Sequence, residues 1–263
     1  MLPFLTGNAY VSLMVMHFMV SVRMLGLIMS ASVFMLPSVP NTVKFWLAIA
    51  LSIVIIPASG ASITGIAMTS VPLMILMAAR EFLIGMVIGF ASSVPLYALQ
   101  TSGDIDGTLM GLNMMNIFDP TSQTQVSVLA QMKYMLAIWF YLHWDGHILL
   151  VRALAESLKF MPVGVPLGGG FEGIPLVDWA QKIFVLAMTI SLPIFGSTIL
   201  ADVGLGFVAR TVPQLNVFVL GIPLKIAIGM FVLLTVLPGA VDVFHREIES
   251  AVSWALENAL FLR

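Results

Sequence analysis

Six runs of apolar residues, at 9–36, 45–68, 71–99, 126–143, 183–201 and 217–241, dominate this 263-residue chain. Each approaches the roughly 20 residues that a helix needs to cross a bilayer. In lipid the backbone must satisfy its own amides and carbonyls, which a helix does within one segment. We therefore expect an all-α, polytopic membrane protein. Charged residues make up 9% of the chain, against about 25% in a soluble domain, too few to coat a water-facing surface. No Lys or Arg precedes Arg23, so the first run lacks the basic region of a cleaved signal peptide and is expected to be retained.

The charge and motif content removes whole classes of function. A net charge of −2 offers no basic stripe for phosphates, which sets nucleic acid aside. Without cysteine there are no disulfides, thiolate metal sites or cysteine nucleophiles. The zinc-protease H-E-x-x-H, the phosphate-binding G-x-x-x-x-G-K-[ST] and the nucleophile elbow G-x-S-x-G do not occur. His143, Asp145 and His147 could suggest a metal. However, i and i+2 lie about 200° apart on a helix, and Asp145-Gly146 reads as a turn. The expectation is a non-enzymatic protein with no cofactor and no metal.

Residues 1–241 read as one hydrophobic helical domain and 242–263 as an amphipathic C-terminal helix. In that tail Phe244, Ile248, Val252, Leu256 and Leu260 recur every fourth residue, with the charges on other faces. A polar gap at 100–125, holding Asp104, Asp106 and Asp119 without a basic residue, reads as a functional loop. Residues 164–173, with three consecutive glycines, read as a connector. In a six-span layout Arg152, Lys159, Lys182, Arg246 and Arg263 oppose Lys44 and Arg210, which places the C-terminus in the cytoplasm.

Arg23, Arg80, Glu81, Lys133 and Lys225 interrupt apolar runs. Facing lipid at mid-bilayer, each would cost at least about 2.5 kcal/mol, so each must find a partner or water. Glu81 shares a stripe with Gly85 and Gly89, and Lys225 lies between Gly221 and Gly229 at the same spacing. Such stripes allow close helix approach. They suggest that Glu81 and Lys225 pair, or that each reaches water or backbone carbonyls separately. Met110, Met114, Met115 and Phe118 cluster in the polar central gap, where flexible, polarizable side chains suit a deformable seal or ordinary packing. Asp119-Pro120 suits a helix start, and Arg210, Pro213, Gln214 and Asn216 crowd just before the last apolar run.

The run from Arg210 through Pro213, Gln214, Asn216 and Phe218 to Gly221, Pro223 and Lys225 resembles the late signature of the FliR/SctT family of export-gate proteins. Other blocks agree in order and spacing: Arg80-Glu81 through Gly85 to Gly89, Phe118-Asp119-Pro120, Asp145-Gly146-His147, and Ser157 with Met161-Pro162. Many family members have Gln before the Met-Gly of the central loop, where this chain has Leu109.

The resemblance implies a subunit of a type III secretion export gate in the bacterial inner membrane, at the flagellar basal body or, in the alternative branch, an injectisome. It implies assembly with FliP-like and FliQ-like subunits, contact with an FlhB-like switch protein, and passage of unfolded export substrates. It also implies helical hairpins in a right-handed spiral, and a plug contributed by the central loop, with Met110, Met114, Met115 and Phe118 as gate candidates. A secondary transporter using Arg80, Glu81 and Lys225 is the competing reading, but no repeated halves support it. A membrane hydrolase would need a nucleophile or metal motif.

Overall fold

A computed structural model describes residues 7–35, 39–59, 71–114, 127–164, 176–212 and 217–259. They form α1 (Gly7–Ser30), α2 (Asn41–Ser59), α3 (Val71–Leu109), α4 (Val128–His143), α5 (Gly146–Phe160), α6 (Leu176–Thr211) and α7 (Val217–Ala259). A 3₁₀ turn at Leu112–Met114 follows α3, and no strand occurs among the described residues. The all-α, polytopic expectation holds, with α1, α3, α6 and α7 long and apolar enough to cross a membrane. The runs at 45–68 and 126–143 yield the shorter α2 and α4.

Local chemistry explains where several helices begin and end. The Pro40 carbonyl accepts from the amides of Val43 and Lys44, which starts α2. Asp178 lies in the first turn of α6 and Arg210 in its last, each complementing the helix dipole, and the helix extends beyond its apolar centre at both ends. Asp145 adopts φ 56° between α4 and α5, and its carbonyl accepts from Ile148 and Leu149. That left-handed conformation separates the two helices, and Asp tolerates it better than most residues.

Three segments take a form that the apolar runs do not show. The polar gap at 100–125 is not a loop throughout, because α3 continues to Leu109. There Ser102 and Thr108 donate their hydroxyls to the carbonyls of Leu99 and Asp104, so these polar side chains are satisfied within the helix and do not end it. The basic connection holding Arg152 and Lys159 contains α5, an amphipathic helix. It buries Leu150, Ala153, Leu154 and Leu158 and exposes its charges, and its 15 residues are too short to register as a crossing. The boundary at 242 is not a break either: α7 runs unbroken from Val217 to Ala259, with Phe244 and Ile248 buried.

The chain divides into two compact units. The first comprises Met1–Ser93, Asp145–Leu176 and Ile248–Arg263. Here α1 packs along α2, which also meets α5. The approach of α1 to α3 is close enough that a Cβ on Gly26 would strike the Phe82 carbonyl and one on Gly89 the Leu27 carbonyl. Ser93 accepts from the Ser32 amide at 2.7 Å, fixing the turn that leaves α1.

The second unit comprises Val94–Trp144 and Val177–Glu247. Met110, Leu129, Ile194 and Leu233 form its buried cluster, drawn from the end of α3 and from α4, α6 and α7. Ser191 of α6 donates to the Ser102 carbonyl of α3 at 3.2 Å. Phe184, Leu192, Leu200, Phe207, Phe231 and Leu234 leave much of α6 and α7 apolar and exposed.

Candidate functional site

In the first unit a buried cationic side chain is fully engaged. Arg23 of α1 donates Nε to Glu81 Oε2 of α3 at 2.6 Å, Nη1 to Ser157 Oγ of α5 at 3.0 Å and Nη2 to the Met161 carbonyl at 3.0 Å. One guanidinium thus ties three helices with donors fixed in a plane, a task a flexible ammonium would perform less well. Arg80 approaches Glu81 Oε1 at 3.7 Å, and all three charged side chains are buried. Gly85 lies one turn beyond Glu81, and a Cβ there would run into the Arg23 carbonyl. The glycine therefore sets the helix separation at which the pair can form.

The second unit holds its own buried pair. Lys133 of α4 binds Asp106 of α3 and donates to Ser102 Oγ at 3.0 Å, with Lys133 and Asp106 both buried. Asp106 and Ser102 are four residues apart, hence on one face of α3. The same pair of helices is drawn tight by Gly103, whose Cβ would overlap the Ala130 Cα and stand 2.8 Å from its amide nitrogen, and by Gly107 beside Ser127 and Asn113. The start of α4 is therefore clamped to the end of α3.

Glu81 and Lys225 each have a partner within their own unit. Glu81 is held by Arg23 and Arg80, while Lys225 of α7 binds Asp202 of α6 at 2.5 Å. The Lys225 and Asp202 side chains are 24% and 53% exposed, so that pair is no buried charge cluster. Gly221 and Gly229 lie on the stripe with Lys225, but Gly221 faces Leu205 of α6 and Gly229 faces Met110.

Met110 is wholly buried against Leu129, Ile194 and Leu233 in the core of the second unit. Met114 ends the 3₁₀ turn, while Met115, Phe118, Asp119 and Pro120 lie outside the described residues, as do Pro213, Gln214 and Asn216. Phe218 lies in the first turn of α7, and Pro223 and Arg210 are exposed. Gly146 is buried at the start of α5 and His147 is half-buried, its Nδ1 enclosed. His143 stacks on Trp139 at 5.1 Å, both on α4. Among the described residues no three His, Asp or Glu side chains converge as metal ligands.

Sequence reasoning missed the partners more than the charges. Nothing in the sequence singles out Asp202, Ser157 or the Met161 carbonyl as acceptors, and Asp106 lies in a polar stretch that reads as a loop. The one legible signal was the Ser102–Asp106 spacing, which offers a cation two acceptors on a helical face.

Residues 14–251 match the family described as bacterial export proteins, family 1. The flagellar biosynthetic protein FliR of Escherichia coli is 29% identical over 237 residues, 89% of this chain and 88% of that protein. FliR of Bacillus subtilis is 33% identical over 190 residues, covering 71% and 73%. The secretion system apparatus protein SsaT of Salmonella typhimurium is 31% identical over 173 residues, 65% of each chain. The family match spans both buried ion pairs, the α3–α4 clamp and nearly all of α7, and on that evidence this chain belongs to the bacterial export proteins of family 1.

Proposed function

We propose that this protein is a non-enzymatic core subunit of a flagellar type III export gate in the bacterial inner membrane. The observation that carries the reading is the family match over residues 14–251, accompanied by FliR relatives aligned over most of their own length. The flagellar branch is favoured because those alignments cover more of the chain than that with the injectisome-type SsaT. FliP-like, FliQ-like and FlhB-like subunits are the proposed partners, and the exposed apolar flanks of α6 and α7 suit such neighbours as well as lipid.

A closed gate must hold back ions and metabolites yet pass an unfolded chain. Flexible apolar side chains at a constriction exclude water when closed and adapt to varied sequences when open. Met114, Met115 and Phe118, in the segment between α3 and α4, are the proposed plug, and Lys133–Asp106, Gly103 and Gly107 hold those two helices together. Export energy comes from other components.

Native mass spectrometry of particles drawn from native membranes by a tag after Arg263 tests the assembly. One copy of this chain with several copies of two other small membrane proteins is expected, and a persistent monomer or homodimer would overturn the reading. Within that particle, Met114→Gly with Phe118→Gly should raise small-molecule leak, and unchanged leak would remove the plug assignment.

A further inference from the structure

Met110 and Gly229 make a contact that the ion pairs and the plug do not account for. α3 ends where the Met110 amide bonds the Asp106 carbonyl at 2.9 Å and the Gly111 amide bonds that of Thr108 at 3.1 Å. Gly111 takes φ 80°, the left-handed stop that glycine adopts without penalty. The chain therefore turns away immediately after Met110, whose side chain stays behind in the core.

There it lies on bare α7 backbone. A Cβ on Gly229 would stand 2.5, 2.6 and 2.9 Å from Met110 Cε, Cγ and Sδ, closer than real atoms approach. Leu129, Ile194 and Leu233 close the seat from α4, α6 and α7. One turn before Met110, Asp106 is bound to Lys133.

We propose that Met110, seated on Gly229, is a positioning residue for the export barrier: it fixes where the chain leaves α3, and the tightness of the closed gate depends on this seat. Met110 acts from the core without touching the exported chain. The inference rests on the export-gate reading above, which fails differently, by loss of the multi-subunit particle.

The chain has no native cysteine, so Met110→Cys/Gly229→Cys reports the geometry cleanly in the assembled gate. The Gly229 Cβ position stands 2.6 Å from Met110 Cγ, one bond from Met110 Cβ, which keeps the two Cβ positions within the roughly 3.5–4.5 Å that a disulfide spans, so oxidation should cross-link the pair within one chain. Absence of the cross-link would overturn the seat even if no gate assembled. Gly229→Val should raise small-molecule leak roughly fivefold or more in intact particles, the factor expected from modest overpacking strain. Met110→Ala removes as many heavy atoms as Gly229→Val adds, and the double variant should return leak towards the parent. Unchanged leak in assembled Gly229→Val, or a double variant that leaks as much as Gly229→Val, would refute the proposal. Should Gly229→Val not assemble, the same comparison with Gly229→Ala decides it.

Discussion

Replacing Glu81 by Ala should be among the most damaging single changes in the first unit. Arg23 is wholly buried, and its guanidinium divides its donors among the Glu81 carboxylate, Ser157 Oγ and the Met161 carbonyl. Without Glu81 the charge stays in place with two neutral acceptors and Arg80 close by. Stranding one member of a buried pair costs about 3–5 kcal/mol, a large share of a typical folding free energy of about 5–15 kcal/mol. The assay is graded SDS unfolding of the tagged chain in mild detergent, followed through its tryptophans. Glu81→Ala should shift the midpoint strongly downward, while Arg23→Met/Glu81→Met, which removes both charges, should lie close to the parent. The exchanged pair Arg23→Glu/Glu81→Arg should not recover, because a carboxylate at position 23 would face the Met161 carbonyl oxygen. A full recovery by the exchange, or a loss below about 1 kcal/mol for Glu81→Ala, would refute the reasoning.

Gly85→Ala drives a methyl into the Arg23 carbonyl, backbone against backbone, and should destabilise by about 1–3 kcal/mol in the same unfolding assay. Lys133→Met leaves Asp106 buried without its cation and should cost about 3–5 kcal/mol, whereas Lys133→Met/Asp106→Leu should recover most of it. Lys225→Ala, by contrast, breaks a half-exposed pair and should change stability by less than about 1 kcal/mol; a larger loss would show that Asp202 and Lys225 are enclosed in the assembly.

The long apolar helices were legible because lipid imposes one rule on length and polarity, and α1, α3, α6 and α7 obey it. What escaped notice follows from the same rule. Between Ser102 and Thr108 polar side chains bond their own helix, so polarity there does not mark a loop. In α5, Arg152, Glu156 and Lys159 face outward while Ser157 meets Arg23, a periodicity visible in sequence but hidden by the search for crossings. Intrusive charges were found readily, since each is costly in an apolar run. Their partners were not, because Glu81 and Arg23 are 58 residues apart and only tertiary packing brings them together. Met110 shows the limit of composition: nothing in a polar stretch tells which methionine packs into the core, as Met110 does.

The prolines within α6 and α7 bear on what surrounds these helices. Pro193, Pro223 and Pro238 lack the amides that would have bonded the carbonyls of Thr189, Val219 and Leu234, all on exposed turns. The nearby hydroxyls of Thr189 and Thr235 are spent on Val185, Phe231 and Val232. An acyl chain carries no donor, and an unmet carbonyl in hydrocarbon costs several kcal/mol. At these three turns a shifted bond within the helix, water or the polar groups of another polypeptide must therefore serve where lipid cannot, which makes proline a marker of local polarity along otherwise greasy helices.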